Sequence, residues 1–156
     1  MKLGFIGTSK GLTPIQLESI IEFLFPLAKT EVEIHYSNHT ETDGQFHRIV
    51  CNFLLYKKIF IHTIDIKYVN HVVTLCEPIK LPAVPYAEAR KNIIDSCDIL
   101  LLAPKENFDQ DNFNNVKYSF ELAKKKNKTI KLFHYDGSIQ DWPDENHIPK
   151  RFRKHL

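Results

Sequence analysis

Glycine is scarce in this chain, with five in 156 residues and none between Gly44 and Gly137. Neither G-x-G-x-x-G nor the Walker pattern occurs, so neither a dinucleotide fingerprint nor an NTPase P-loop is indicated. Cysteine is sparse and odd in number. Cys51, Cys76 and Cys97 lie in apolar contexts and read as reduced core thiols, not as a disulfide framework. None of them falls in a loop at a strand end, and no G-x-S-x-G elbow is present, so no activated nucleophile is legible. Charge of one sign is also lacking. A net charge of +2 gives no global field for nucleic acid or an acidic membrane. The basic stretch Lys150, Arg151, Arg153, Lys154 comes without aromatic platforms and reads as a solvated end. No apolar run approaches the roughly 20 residues that cross a bilayer. Lys2 is followed by only a short apolar stretch, 3–6, which does not read as a secretion signal. These absences lead to the expectation of a cytoplasmic protein with no membrane and no nucleic-acid partner. The histidines His35, His39 and His47 show neither H-E-x-x-H nor paired-cysteine spacing, so no metal site is expected, and no cofactor is called for.

What is present is an alternation of apolar strands and amphipathic helices. "KLGFI" (2–6), "VEIHYS" (32–37), "IFIHTI" (59–64), "ILLLAP" (99–104) and "TIKLFHY" (129–135) read as strands. Helices are expected from Pro14, from about Asp43 to Lys58, over 86–97 and over 115–126. Thr13-Pro14-Ile15-Gln16 is a capping box with proline at the first helical position. Residues 65–85, with Pro78, Pro82 and Pro85, show neither period and read as an irregular excursion. Strands apolar along most of their length argue for a parallel sheet covered on both faces. The expected fold class is therefore α/β, a three-layer Rossmann-like fold with a mainly parallel five-stranded sheet flanked by helices. Residues 1–137 form that domain, with 138–156 as an extension packed on it or trailing from it.

Ligands of such folds sit beyond the carboxyl ends of the strands. That rule selects the loops Gly7–Leu12, Ser37–Thr42, Thr63–Asp65, Lys105–Asn112 and Asp136–Ser138. In the first, Gly7, Thr8, Ser9, Lys10 and Gly11 offer amides, hydroxyls and a cation before a helix N-terminus, which suits phosphate or carboxylate. A tight turn with no ligand explains the same glycines. In "TDGQFH" (42–47), Asp43 or Thr42 is placed to cap a helix, and His47 follows Asp43 by one turn. Each reads either as a ligand contact or, more ordinarily, as a cap and a helix-surface histidine. His62, late in the third strand, has the same standing. Asn112, Asn114 and Asn115 serve either as caps or as partners of a base or ribose.

In the order and spacing of "GFIGTSKGLTPIQ", "TDGQFHRIV", "IH" at 61–62, "PYAEARKNIIDSCDILLLAP" and "ELAKKKNKTIKLFHYDG", the chain resembles the SLOG superfamily. These are Rossmann-like domains related to the cytokinin-activating Lonely Guy phosphoribohydrolases and to DNA-processing protein A. The resemblance covers about residues 4–137. It implies a nucleotide or nucleotide-derived ligand and frequent pairing into homodimers or higher homo-oligomers. It also implies a site in which Thr8–Gly11 take the anion, Asp43 and His47 meet sugar or base, and Arg90 and Lys105 offset charge. The departures are specific. The glycine-rich loop after the second strand is reduced to Gly44. The phosphate loop after the fourth strand is replaced by the glycine-free "DQDNFNNVKYS", which removes close backbone approach. The family's arginine aligns with Ala89, one place before Arg90. The glutamate used by the phosphoribohydrolases has only Glu106 nearby, in another context. The resemblance thus implies sensing or sequestering without catalysis. The alternatives are N-glycoside hydrolysis or deoxyribosyl transfer through Asp43, Asp65, Asp95 or Glu106, and a relic whose pocket is filled by side chains.

Overall fold

The computed structural model describes residues 1–53, 58–65, 76–105 and 115–143. The expected helix end at 54–58 falls partly outside these residues. So do Glu106, the 106–114 stretch with its asparagines, and the basic tail.

Seven strands form one sheet in the order β4-β3-β2-β1-β5-β6-β7. The strands are β1 (Lys2–Gly7), β2 (Glu33–Ser37), β3 (Lys58–Ile64), β4 (Ile79–Val84), β5 (Ile99–Ala103), β6 (Thr129–Phe133) and β7 (Ile139–Trp142). All neighbours pair in parallel except β6 and β7. Among the described residues four helices connect them: α1 (Pro14–Leu24), extended by a 3₁₀ turn over Phe25–Lys29, α2 (Glu41–Phe53), α3 (Tyr86–Ser96) and α4 (Asn115–Lys125). Alternating side chains send the central strands into two cores. Phe5, Ile34, Tyr36, Ile61 and Leu101 pack with Ile20, Leu24, Phe46 and Val50 of α1 and α2. Ile6, Leu100, Leu102 and Ile130 pack with Ile93, Ile94, Val116 and Phe120 of α3 and α4. The result is an α/β fold with helices on both faces of a mostly parallel sheet, as expected of a Rossmann-like chain. Among the described residues no helix is long and apolar enough to cross a membrane.

The strand count corrects the expectation of five. β4 lies inside the proline-bearing stretch read as irregular. It is an edge strand paired only with β3, and its register shifts between His62 and Ile64, beside Pro82. An edge tolerates a residue with no N–H to donate. Its side chains are half-buried or exposed, so it lacks the apolar run of a central strand. β7 returns antiparallel through the Asp136-Gly137-Ser138 turn, in which the Gly137 N–H donates to His134 O and Gly137 takes φ +86°. The 136–138 loop is therefore a hairpin turn, and residues 139–142 belong to the same sheet.

The start of α1 is as expected. Thr13 Oγ1 accepts from Gln16 N, Gln16 Oε1 accepts from Thr13 N, and Pro14 opens the helix. The cysteine reading needs correction, because Cys51 and Cys76 are joined in a disulfide across 25 residues. Both contexts are apolar in sequence, and separation along the chain gave no sign that β4 returns its leading residue to α2. Cys97 is a free, buried thiol, and burial pushes its pKa up to about 11.

Candidate functional site

Beyond the carboxyl ends of β1, β2 and β3, a cleft opens between the first turn of α2 and the first turns of α3. Gly7, Ser37, Thr40, Asp43, Tyr86 and Arg90 line it, with isoleucines closing its base. It encloses about 10 Å³, room for about one water.

The α2 wall is built by a reciprocal cap. Thr40 Oγ1 accepts from Asp43 N at 3.1 Å, and Asp43 Oδ2 accepts from Thr40 N at 2.9 Å. This is a capping box with aspartate at its third position. It starts the helix two residues before the expected Asp43 and makes Thr40 the cap. The same oxygen also takes His39 N at 3.0 Å and Ser37 Oγ at 2.6 Å. All three donors converge on Oδ2, and among the described residues nothing donates to Oδ1. Asp43 is buried, and that desolvation raises its pKa, opposed by the hydrogen bonds from Ser37, Thr40 and His39.

The α3 wall carries Arg90, 7 % exposed. Its guanidinium lies 4.3 Å over the Tyr86 ring, one turn earlier, and 5.6 Å from the Tyr118 ring of α4. Ala89 is fully buried in the sheet-facing stripe. The inward-facing arginine is thus Arg90, one place later than the resemblance aligned it. Its Nη2 is buried with no hydrogen-bond partner. Asn38 Oδ1, His39 Nδ1 and Thr42 Oγ1 are also buried without a partner. Among the described residues these four atoms make up that set. Three belong to the β2–α2 loop and the first turn of α2, and the fourth lies on the facing wall. Of the four residues only Arg90 lines the cleft. Buried polar atoms are paired in the great majority of cases, so its guanidinium marks the cleft as a place where an outside partner is missing.

The other expected site residues lie elsewhere. Thr8 is buried, whereas Ser9 and Lys10 are exposed, and none of Thr8–Gly11 lines the cleft. The turn ends with the Leu12 N–H held by Gln45 Oε1 at 2.7 Å. The Glu41 carboxyl carbon would lie 3.4 Å from a Cβ placed on Gly11, which sets a negative charge beside the loop. His47 is fully buried in the opposite core, with Tyr36 Oη 2.5 Å from Nδ1; it is not a helix-surface residue. Lys105 is exposed just beyond β5. Of the expected set, the cleft gathers Gly7, Asp43 and Arg90.

His62 joins a second array. His35 Nδ1 lies 3.0 Å from His62 Nε2, and His35 Nε2 lies 2.9 Å from Glu33 Oε1. Burial depresses both histidines, His62 to about 4. His62 also borders a larger hollow of about 360 Å³ between β4 and α3. There the carboxylate of Asp95 is already paired with Lys91 and Lys126, and no orphaned polar atom lines it. Asp65 is exposed, so among the described acids only Asp43 stands at the cleft. Tyr86 was missed in sequence, while Ser37 and Thr40 lay in a loop that the strand-end rule selected but were not singled out. The i, i+4 spacing of Tyr86 and Arg90 was the available signal for the first, and Ser37 carried none beyond its place at a strand end.

Comparison with family models, with curated proteins and with solved structures returned no match.

Proposed function

We propose that this chain binds a nucleotide or nucleotide-derived small molecule in the cleft between α2 and α3, holding it without catalysis. One observation carries the reading: Arg90 presents a buried guanidinium nitrogen with no acceptor. Leaving a buried donor unmade costs about 1–3 kcal/mol, and more for a charged group. An anionic acceptor such as a phosphate recovers that energy and takes a directional, charge-assisted bond. The opposite wall complements a polyol. Asp43 offers a carboxylate oxygen, and Ser37 and Thr40 bring hydroxyls to the same wall, a set suited to ribose hydroxyls. Tyr86 supplies an aromatic face already engaged by Arg90. The anion is thus placed on a side chain at α3, not on the amides of the first loop. A nucleotide-sized ligand needs the cleft to widen beyond its 10 Å³. The resemblance to the SLOG superfamily points to the same ligand class.

Calorimetry of the wild type with nucleoside mono- and diphosphates and ADP-ribose tests this. The expected result is binding to at least one, weakened by about tenfold or more in Arg90→Gln, equivalent to at least about 1.4 kcal/mol. No binding across the panel, or equal binding by Arg90→Gln, refutes the reading. Release of free base from a bound nucleotide, abolished in Asp43→Asn, replaces it with hydrolysis.

A further inference from the structure

A second constellation lies further along α2, one and two turns beyond the cleft residue Asp43. His47 and Cys51 stand one turn apart on that helix, and Cys76, just ahead of β4, is brought to the same point. One ligand atom from each of the three lies within 4.8 Å of the other two. His47 and Cys51 are fully buried, and Cys76 is half-buried. We infer that, when the Cys51–Cys76 bond is reduced, these three side chains form a binding site for one thiophilic divalent cation of the zinc class.

The chemistry fits at three points. Two thiolates and an imidazole are the donor set that selects zinc over hard cations such as calcium or magnesium. With Zn–S about 2.3 Å and Zn–N about 2.0–2.1 Å, tetrahedral ligation places a nitrogen and a sulfur on the order of 3.6 Å apart. His47 Nε2 and Cys51 Sγ are already 3.5 Å apart. The charges also balance. A divalent ion with two thiolates and a neutral imidazole is electrically neutral, which suits a buried place where an unpaired charge is costly. Tyr36 fixes the ring from behind, its hydroxyl 2.5 Å from Nδ1, leaving Nε2 toward the sulfurs. Such outer partners orient ligating histidines. The half-buried side, at Cys76, leaves the fourth position to water.

The disulfide and the metal exclude each other. An external dithiol reduces the Cys51–Cys76 bond and is itself oxidised to a disulfide, giving two protein thiols. Binding the cation then releases two protons, one from each thiol, while His47 ligates neutral.

The test uses the full chain, reduced with a metal-free phosphine, and cobalt(II) as the probe. The expected result is one equivalent bound, with a sulfur-to-cobalt charge-transfer band and the visible bands of a tetrahedral ion, both removed by zinc. Oxidised protein gives neither. Since loss of an outer partner costs about 10–100-fold in metal affinity, losing a ligand in Cys76→Ser lowers it by at least about 100-fold. His47→Gln behaves likewise, and Cys97→Ser, in the other core, is unchanged. Cys76→Ser is the decisive variant because its half-buried site leaves the fold intact by circular dichroism. No stoichiometric band in the reduced wild type, or an undiminished band in folded Cys76→Ser, overturns the inference.

Discussion

Replacing Gly7 by alanine tests why glycine stands at the end of β1. An ideal Cβ there meets Thr42 Cγ2 at 2.2 Å, Thr42 Cβ at 3.1 Å and Phe5 Cζ at 3.3 Å. Thr42 and Phe5 are both fully buried, and the α2 turn that carries Thr42 is pinned by the Thr40–Asp43 cap. Relief therefore needs either an unfavourable Thr42 rotamer or a shift of the helix start. Overpacking of this kind costs about 1–3 kcal/mol. The second variant isolates the cause. Thr42→Ala removes the colliding methyl together with a buried hydroxyl that has no partner. Losing about one methyl group of burial, about 0.8 kcal/mol, is offset by removing the orphaned polar atom. Thr42→Ala alone is expected to be near neutral, and Gly7→Ala in that background to cost less than about 1 kcal/mol. Urea unfolding followed by circular dichroism measures all four corners of the cycle. Equal destabilisation by Gly7→Ala in both backgrounds would falsify the explanation that α2 itself occupies the space of the missing side chain.

Three further outcomes are expected. His62 has its pKa depressed from 6.5 to about 4 by burial, so the unfolded chain binds the extra proton first. Its contribution is present above pH 6.5 and is lost as pH falls toward 4, by up to about 3 kcal/mol at about 1.4 kcal/mol per unit. Asp43, raised by burial, acts in the opposite direction, so the comparison is made against His62→Gln, whose urea midpoint falls less over that window; equal slopes would count against it. Gln16 Nε2 donates to Pro104 O at 2.7 Å and Phe133 O at 2.9 Å, at the ends of β5 and β6. Gln16→Leu strands two buried carbonyls and is expected to cost about 2–4 kcal/mol, read by urea unfolding, and a change below about 0.5 kcal/mol contradicts it. Cys97, buried and with its pKa pushed up to about 11, is expected to react with a thiol reagent only on unfolding. Prompt reaction in the native protein refutes this.

The central sheet was legible because parallel strands buried on both faces write themselves as apolar runs, as "ILLLAP" and "IFIHTI" do. β4 and β7 were not, because an edge strand covered on few sides needs no such run. "IKLPAV" presents no fully buried residue and carries a proline where the register shifts. β7 is signalled instead by its turn, since Asp-Gly before a strand is a hairpin pattern, here overshadowed by the loop rule for ligands. Gly7 and Arg90 were visible as types at the right ends of their elements. What the sequence hid was which neighbours each would meet. Gly7 lacks a side chain because Thr42 fills the space, and Gly11 adopts φ +82°, so both opening glycines have reasons independent of an anion.

The position of the cleft follows from how the other crevice is closed. Strand order reverses between β1 and β5, which is where the doubly wound rule places a ligand. On the α1 face of that point, Gln16 satisfies the carbonyls at the ends of β5 and β6, and Thr13 Oγ1 donates to Tyr135 O at 2.9 Å. The amide at Leu12 is likewise taken by Gln45. Polar groups there are satisfied from within, whereas the unpartnered nitrogen of Arg90 lies at the cleft between α2 and α3. A phosphate cradle made of backbone amides needs glycines so that the ligand can reach the chain. An arginine reaches out from a helix and tolerates a Cβ at every neighbouring position. On the proposed reading, the scarcity of glycine and the burial of Arg90 are two sides of one arrangement, in which a side chain takes over the anion that a glycine loop would otherwise hold.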